Sequence, residues 1–468
     1  MRYRVYVNDK EQLVWENRVS KIPFNRVFAG RQRSLDQTEI AYYSDFDIQE
    51  KSILKIVVEE VEISRVEIRP LVLNRQLIQE KNTLTMHISP NEKFTIEING
   101  YHNALYVFAN EPYVYTPREG DLYFPAGEHH IGCFFPKSNT RIVLDRDAVV
   151  YGTLYLENVE NIIIEGRGVL NAAPFKRPLD TTLTDEVSCQ VVNTYQQRKF
   201  DRDRMEYSGL LTAYHSKNVK IDGIILQDSF FWTLILRNGC ENVEINNIKI
   251  LGQWRYNSDG VDICNSYHVT LKNSFIRTFD DCIIVRAPLL KGEEGGCRDI
   301  VAENNILWCD WGKNLEVWFG NISSTIQDVF FKDNYCIHVA ITAISIDTWY
   351  GAENILAENI VYENIFVEYD EQHLTYQYQQ SDEDKYDDSK IEDDEMLLRI
   401  AVSFIGIRLG GDQARADYEV EPDFHSEYRN IHLHNVVEIG KNASIVLYGQ
   451  DKMVLDNITL NGKRIDEK

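Results

Sequence analysis

A short unit recurs from about residue 121 to the end of the chain, and no other feature limits the possible fold so tightly. Each copy runs polar, apolar, any, apolar, any, and usually closes on Asn or Asp. Clear copies are Asn218-Val219-Lys220-Ile221-Asp222, Asn242-Val243-Glu244-Ile245-Asn246 and His268-Val269-Thr270-Leu271-Lys272-Asn273. They continue as Asp299-Ile300-Val301-Ala302-Glu303-Asn304, Asp328-Val329-Phe330-Phe331-Lys332-Asp333 and Asn354-Ile355-Leu356-Ala357-Glu358-Asn359, with others beginning at Asn161, Asn430 and Lys452. From residue 218 the steps are 24, 26, 31, 29 and 26 residues. The apolar period is two, so a unit holds two or three short strands, and paired helices would need a longer unit with a period of 3.6. That is one rung of a parallel β-helix, whose inward apolar residues stack on those of the next rung. The recurring Asn or Asp falls where a tight bend needs left-handed backbone or a side chain that bonds the backbone. The longer steps imply loops on one face, where binding residues usually lie.

The expected class is therefore all-β, with a parallel β-helix over 121–468. Residues 1–120 lack the repeat. Ile53-Leu54-Lys55-Ile56-Val57-Val58 and Phe94-Thr95-Ile96-Glu97-Ile98 read as alternating strands of a small N-terminal β-sandwich. Two stretches interrupt the ladder, near 172–210 and 370–398. The second contains the acidic run Ser381-Asp382-Glu383-Asp384, which reads as a solvated excursion in preference to a cation site.

Charge narrows the partners. The chain has 73 acidic and 49 basic residues, a formal charge of -24, so nucleic acid and anionic membrane are expected to be repelled. Polyanionic substrates are repelled too, unless a local basic patch intervenes. No stretch of about 18 apolar residues argues for a membrane span. No apolar run follows the basic start, so a cytoplasmic location is expected. None of the eight cysteines forms C-x-x-C or sits near a His at zinc spacing. Buried free thiols are expected over disulfides or metal ligands, and neither a metal nor a cofactor is required.

The chemistry concentrates on three aspartates carried by consecutive copies: Asp259 in Asn257-Ser258-Asp259-Gly260-Val261-Asp262, and the pair in Phe279-Asp280-Asp281-Cys282. Neighbouring rungs lie about 4.8 Å apart, so carboxylates on two of them can flank one bound sugar. Crowded carboxylates raise one another's pKa values and divide the roles of acid and base, the requirement for cleaving a glycosidic bond. Adjacent residues on a flat strand point to opposite faces, so the chain must bend at Asp280-Asp281 for both to act together. Asp262 reads as a bend residue like others in the ladder.

At these residues the chain resembles the polygalacturonase-like glycoside hydrolases of family 28, and their dextranase-type relatives of family 49. The likeness runs from about 125 to 365. Phe124-Pro125-Ala126-Gly127 with Val150-Tyr151-Gly152 is similar to the family's first coil, and Asp228-Ser229-Phe230-Phe231-Trp232 to its S-P-x-W stretch. Asn257-Ser258-Asp259-Gly260 is similar to N-T-D-G, and Asp280-Asp281-Cys282-Ile283 to D-D-C-I. The resemblance implies a right-handed, pectin-lyase-like β-helix and inversion of the anomeric centre. It also implies Asp280 as general acid, with Asp259 and Asp281 holding the attacking water across roughly 6.5–9.5 Å. Asp280 is expected to keep its proton because two carboxylates crowd it.

The departures matter as much. Where the family carries G-H-G, this chain has Gly312-Lys313-Asn314. Where it carries R-I-K, whose cations hold a uronate, this chain has Ser345-Ile346-Asp347. The expectation is a neutral sugar at the point of cleavage, with Asp347 accepting hydroxyl hydrogen bonds. Asn257, Trp254, Trp311, Arg286 and Lys313 are the other expected substrate contacts, and Trp318, Trp349 and Tyr350 are further candidate platforms. Against these stand core packing for the aromatics and surface salt bridges for the two cations. The expected partner is an oligosaccharide or polysaccharide, and an oligomer is compatible with the sequence. A polygalacturonase proper, a polysaccharide lyase and a non-catalytic glycan-binding β-helix are the alternatives.

Overall fold

The structure, a computed structural model, describes residues 1–21, 35, 38–175, 209–255, 257–287, 295–319, 324–340, 342–348, 354–368, 403–406, 426–440, 445–448 and 450–466. Most of both ladder interruptions expected from sequence, 172–210 and 370–398, lies outside them. Two compact units are present.

The first unit comprises Met1–Lys21 and Leu35–Thr116. One five-stranded antiparallel sheet runs in the order Lys10–Gln12, Arg2–Val7, Ser52–Glu59, Thr83–Ile88, Ile78–Glu80. A second runs Trp15–Ser20, Thr38–Asp47, Leu105–Asn110, Lys93–Ile98, Val66–Arg69. Ser52–Glu59 alternates between buried and more accessible positions, so one face packs inward. There Leu54, Ile56, Leu84 and Met86 join Phe94, Ile96, Leu105 and Val107 of the other sheet in one core. This is a β-sandwich.

The second unit contains a right-handed parallel β-helix. Twenty-six of its strands form one continuous ribbon from Leu122–Phe124 to Lys463–Arg464, and Ser403–Gly406 pairs with Ile445–Tyr448 in a separate two-stranded sheet. Through the middle of the coil, a strand pairs in parallel with the strand three places further on. Each middle rung thus contributes to three ladders, as in Glu241–Asn246, Lys249–Leu251 and Val261–Cys264. Inward residues stack: Val219, Val243, Val269, Ile300, Val329 and Ile360 form one file by register. No α-helix occurs among the described residues.

The Asn, Asp and His residues that open the copies, and those at the following bend, take left-handed backbone as the sequence suggested, except that Gly223 and Asn247 do so in place of Asp222 and Asn246. Asn218, Asn242, His268, Asp299, Asp328 and Asn359 stand in one file with φ between 53° and 58°. Asn247, Asn273, Asn304, Asp333, Asn364 and Asn435 form a second, with φ between 51° and 55°. Side-chain amides bridge successive rungs, for example Asn242 to Asn218 at 3.2 Å and Asn304 to Asn273 at 2.8 Å. One copy was misassigned by the sequence pattern. Asn359 Nδ2 donates to Asp328 Oδ1 at 2.6 Å and Asn364 Nδ2 to Asp333 Oδ1 at 2.8 Å. The repeat in that rung is therefore Asn359–Asn364, and Asn354–Asn359 lies five residues too early.

Candidate active site

The site forms at one corner of the coil, where the second ladder turns into the third. The corner residues repeat rung by rung: 228–233, 252–260, 279–282 and 310–312. Backbone bonds stack these corners. Thr233 N donates to Asp259 O at 3.0 Å, Gly260 N to Asp281 O at 2.7 Å, and Cys282 N to Lys313 O at 2.8 Å. Asp259 therefore lies one rung from Asp281, as the repeat spacing required.

Asp280 and Asp281 occupy a bend between the strands Phe275–Thr278 and Ile283–Arg286. The Thr278 hydroxyl and the Cys309 thiol, the latter at 3.2 Å, both donate to the Asp280 carbonyl and fix that bend. Both carboxylates turn toward Gly312. A Cβ added there would lie 2.6 Å from Asp280 Oδ1 and 2.4 Å from Asp281 Oδ1, so the two oxygens are no more than about 5 Å apart. Asn257 Nδ2 donates to Asp280 Oδ2 at 3.2 Å, and the Lys313 backbone N–H donates to Asp281 Oδ1 at 2.8 Å. Asn257 thus supports Asp280 directly.

Asp259 is 2% exposed, and its Oδ1 has no hydrogen-bond partner among the described residues. Burial, followed by repulsion from Asp262, Asp280 and Asp281, pushes its carboxyl well above the usual range, while Arg286 opposes the shift. The sequence places such crowding at Asp280; in the structure it is Asp259 that is almost fully buried, while Asp280 and Asp281 are partly exposed.

Asp262 is no bend residue. It lies within the strand Val261–Cys264, fully buried, in register between Ile235 and Ile284 on the adjacent rungs. Burial pushes its carboxyl up to about 7, although Arg286 pulls it down. Arg286 Nη2 lies 3.3 Å from Asp262 Oδ1 and 3.7 Å from Asp259 Oδ2. Its guanidinium packs over the rings of Trp232 and Trp318, at 4.6 and 4.7 Å. This is a buried cluster, not a surface salt bridge.

Lys313 makes a second buried cluster. Its ammonium pairs with Glu316 and, at 2.7 Å, with Asp347 Oδ2. Asp347 is fully buried, so it serves Lys313 rather than opening onto solvent as a sugar acceptor. The sequence reading missed Glu316. Leu315 and Val317 face the core, and strand alternation turns Glu316 to the other side. Burial raises its carboxyl well above the usual range; Lys313 opposes, and Asp281 and Asp347 add to the rise.

The aromatics divide. Trp311 is partly exposed beside the paired carboxylates and stacks on Phe279 at 5.7 Å and 11°. Trp254 is 8% exposed and donates from Nε1 to Asp228 Oδ1 at 2.8 Å. Trp318 packs on Arg286, and Trp349 and Tyr350 lie outside the described residues. Among the described residues, Cys133, Cys240, Cys264, Cys282, Cys297, Cys309 and Cys336 are free thiols.

Asp259, Asp262 and Glu316 all bind protons more tightly in the folded chain than in the unfolded one. For Asp262 the resulting stability is present below about 4. It is lost as pH rises through about 7. The melting temperature should therefore fall between pH 5 and pH 8, as scanning calorimetry can measure. Replacing all three carboxylates by amides should flatten that slope.

Residues 154–370, which include every site residue above, match the model of the family described as Glycosyl hydrolases family 28. No curated protein matched the sequence. Dex49A from Penicillium minioluteum superposes with a TM-score of 0.55 at 12% identity, over 99% of this chain and 89% of that one. A hyperthermoactive exopolygalacturonase from Thermotoga maritima superposes with a TM-score of 0.53 at 15% identity, over 74% of this chain and 85% of that one. At such identities these likenesses concern the fold.

Proposed function

We propose that this chain, a polysaccharide-cleaving glycoside hydrolase resembling family 28, inverts the anomeric centre and holds a neutral sugar at the point of cleavage. The carrying observation is the trio of carboxylates on consecutive rungs, with Asp280 and Asp281 turned together toward Gly312. Asp280 gives its proton to the glycosidic oxygen while Asp259 and Asp281 hold the attacking water. Lys313 N–H fixes one oxygen of Asp281, leaving the other for that water. Trp311 offers a ring face for a neighbouring sugar.

The neutral-sugar reading rests on charge. Arg286 is matched by Asp262 and Asp259, and Lys313 by Glu316 and Asp347. Each cation of the subsite is already paired with two carboxylates inside the fold, so neither is left to hold a uronate. A uronate placed there would meet repulsion of a few kcal/mol at an intermediate effective dielectric. Reducing-sugar release from a panel of neutral glucans, galactans and xylans should exceed that from polygalacturonate by at least about 100-fold, a difference of roughly 2.7 kcal/mol. Rapid cleavage of polygalacturonate with inert neutral glycans would overturn the specificity.

The short Asp280–Asp281 separation gives a second reading its footing. Carboxylates about 5 Å apart are typical of retaining enzymes, in which one attacks the sugar directly. Proton NMR of the newly released anomer separates the two. An inverted product supports water activation by Asp259, and a retained product would make Asp281 the nucleophile.

A further inference from the structure

Arg286 is shared between two carboxylates and cannot follow either of them far. Its guanidinium packs over the rings of Trp232 and Trp318, 3.3 Å from Asp262 and 3.7 Å from Asp259. Asp262 is fully buried, with Ile235 and Ile284 in register on either side. The only near cation to which its carboxylate oxygens are assigned is this guanidinium, among the described residues. On the preceding rung, Arg237 acts on Asp262 at longer range, as does Asp281 on the following rung. Cys264 and Glu316 act on Arg286. Asp259 faces Asp262, Asp280 and Asp281 as well as Arg286.

We infer that Asp262 and Arg286 are positioning residues that set the proton affinity of Asp259 by dividing one positive charge between two buried carboxylates. A carboxylate gripped alone by a guanidinium is a weak base. Asp262, the nearer partner, draws that charge away, so Asp259 retains enough basicity to take a proton from water. Without Arg286 the balance fails the other way. Asp259 then stands beside three acidic groups with no cation, and stays protonated. The pair adds to the reading above a control on the water-activating group; it rests on that reading for its catalytic consequence, but the charge division itself does not.

Two substitutions should move Asp259 in opposite directions. In Asp262→Asn the guanidinium charge passes to Asp259, whose titration should fall by about one pH unit or more. In Arg286→Gln it should rise by a comparable amount. Arg286→Lys, which keeps the charge, should lie between Arg286→Gln and wild type and guards against loss of folding in the Gln variant. Carbon-13 NMR of Asp-labelled free enzyme reads the titration, with the Asp259 resonance identified by its loss in Asp259→Asn. The acidic limb of kcat/KM on the best neutral glycan of the panel should shift with it, down for Asp262→Asn and up for Arg286→Gln. A merely structural role would lower activity in both variants without opposed shifts. Shifts of the same sign, or none, would overturn the inference. Near-normal turnover by Asp259→Asn would instead sink the catalytic assignment, and the NMR titrations would still decide the charge division.

Discussion

Asp280→Asn should lower kcat on the best neutral polysaccharide by about 10³-fold, with KM changed only a few-fold. The substitution removes a proton and little else. The Asn side chain has the carboxylate's shape, and its carbonyl oxygen can still accept the hydrogen bond that Asn257 Nδ2 gives Asp280 Oδ2 at 3.2 Å. The bend stays fixed by Thr278 and Cys309, which bond the Asp280 backbone. The lost barrier reduction, about 4 kcal/mol, should return when the leaving group needs no proton. A dinitrophenyl glycoside of the same sugar should therefore be cleaved at near the wild-type rate. Equal losses on both substrates would place Asp280 elsewhere than at the leaving oxygen. Turnover of the polysaccharide within a few-fold of wild type would remove it from the acid role altogether.

The coil was legible because two independent signals agree in each rung. The period of two gives the strands, and an Asn, Asp or His in left-handed conformation ends them. The signal failed at Asn354, where the strand Ile355–Glu368 carries the pattern twice, at Asn354-Ile355 and again at Asn359-Ile360. The stacking of Asn359 on Asp328 and of Asn364 on Asp333 selects the register. The trio of aspartates was legible because their spacing matches one rung. The buried ion clusters were not: the pattern reads Asp262 as a bend residue, passes over Glu316 and offers Asp347 to sugar hydroxyls. Alternation turns all three out of the inner core. Whether the outside of a ladder is wet or covered depends on contacts distant in sequence, which the local pattern does not contain. All three are at most 1% exposed, and that burial converts ordinary acidic side chains into partners for Arg286 and Lys313.

Gly312→Ala should cost about 10²-fold or more in kcat/KM, because the added methyl group falls against both carboxylates proposed to act on the sugar. The new Cβ would meet Asp281 Oδ1 at 2.4 Å, Asp280 Oδ1 at 2.6 Å and the Asp281 backbone nitrogen at 2.6 Å. A carboxylate tip can rotate, but that nitrogen belongs to the bend that presents both acids. Asp281 is further restrained by the N–H of Lys313, the residue after the glycine. Relief therefore requires separating the two corners or turning both carboxylates, and either moves the acid relative to the water. Overpacking of this kind costs about 1–3 kcal/mol of stability, so the variant should remain folded with a lowered melting temperature. The activity loss should appear mainly in kcat, and it should persist on the dinitrophenyl glycoside, because the base is displaced along with the acid. That pattern differs from Asp280→Asn, in which only the acid is lost. If Gly312→Ala were instead rescued by the activated leaving group, Asp281 would have no part in holding the water, and the work would fall to Asp259 alone.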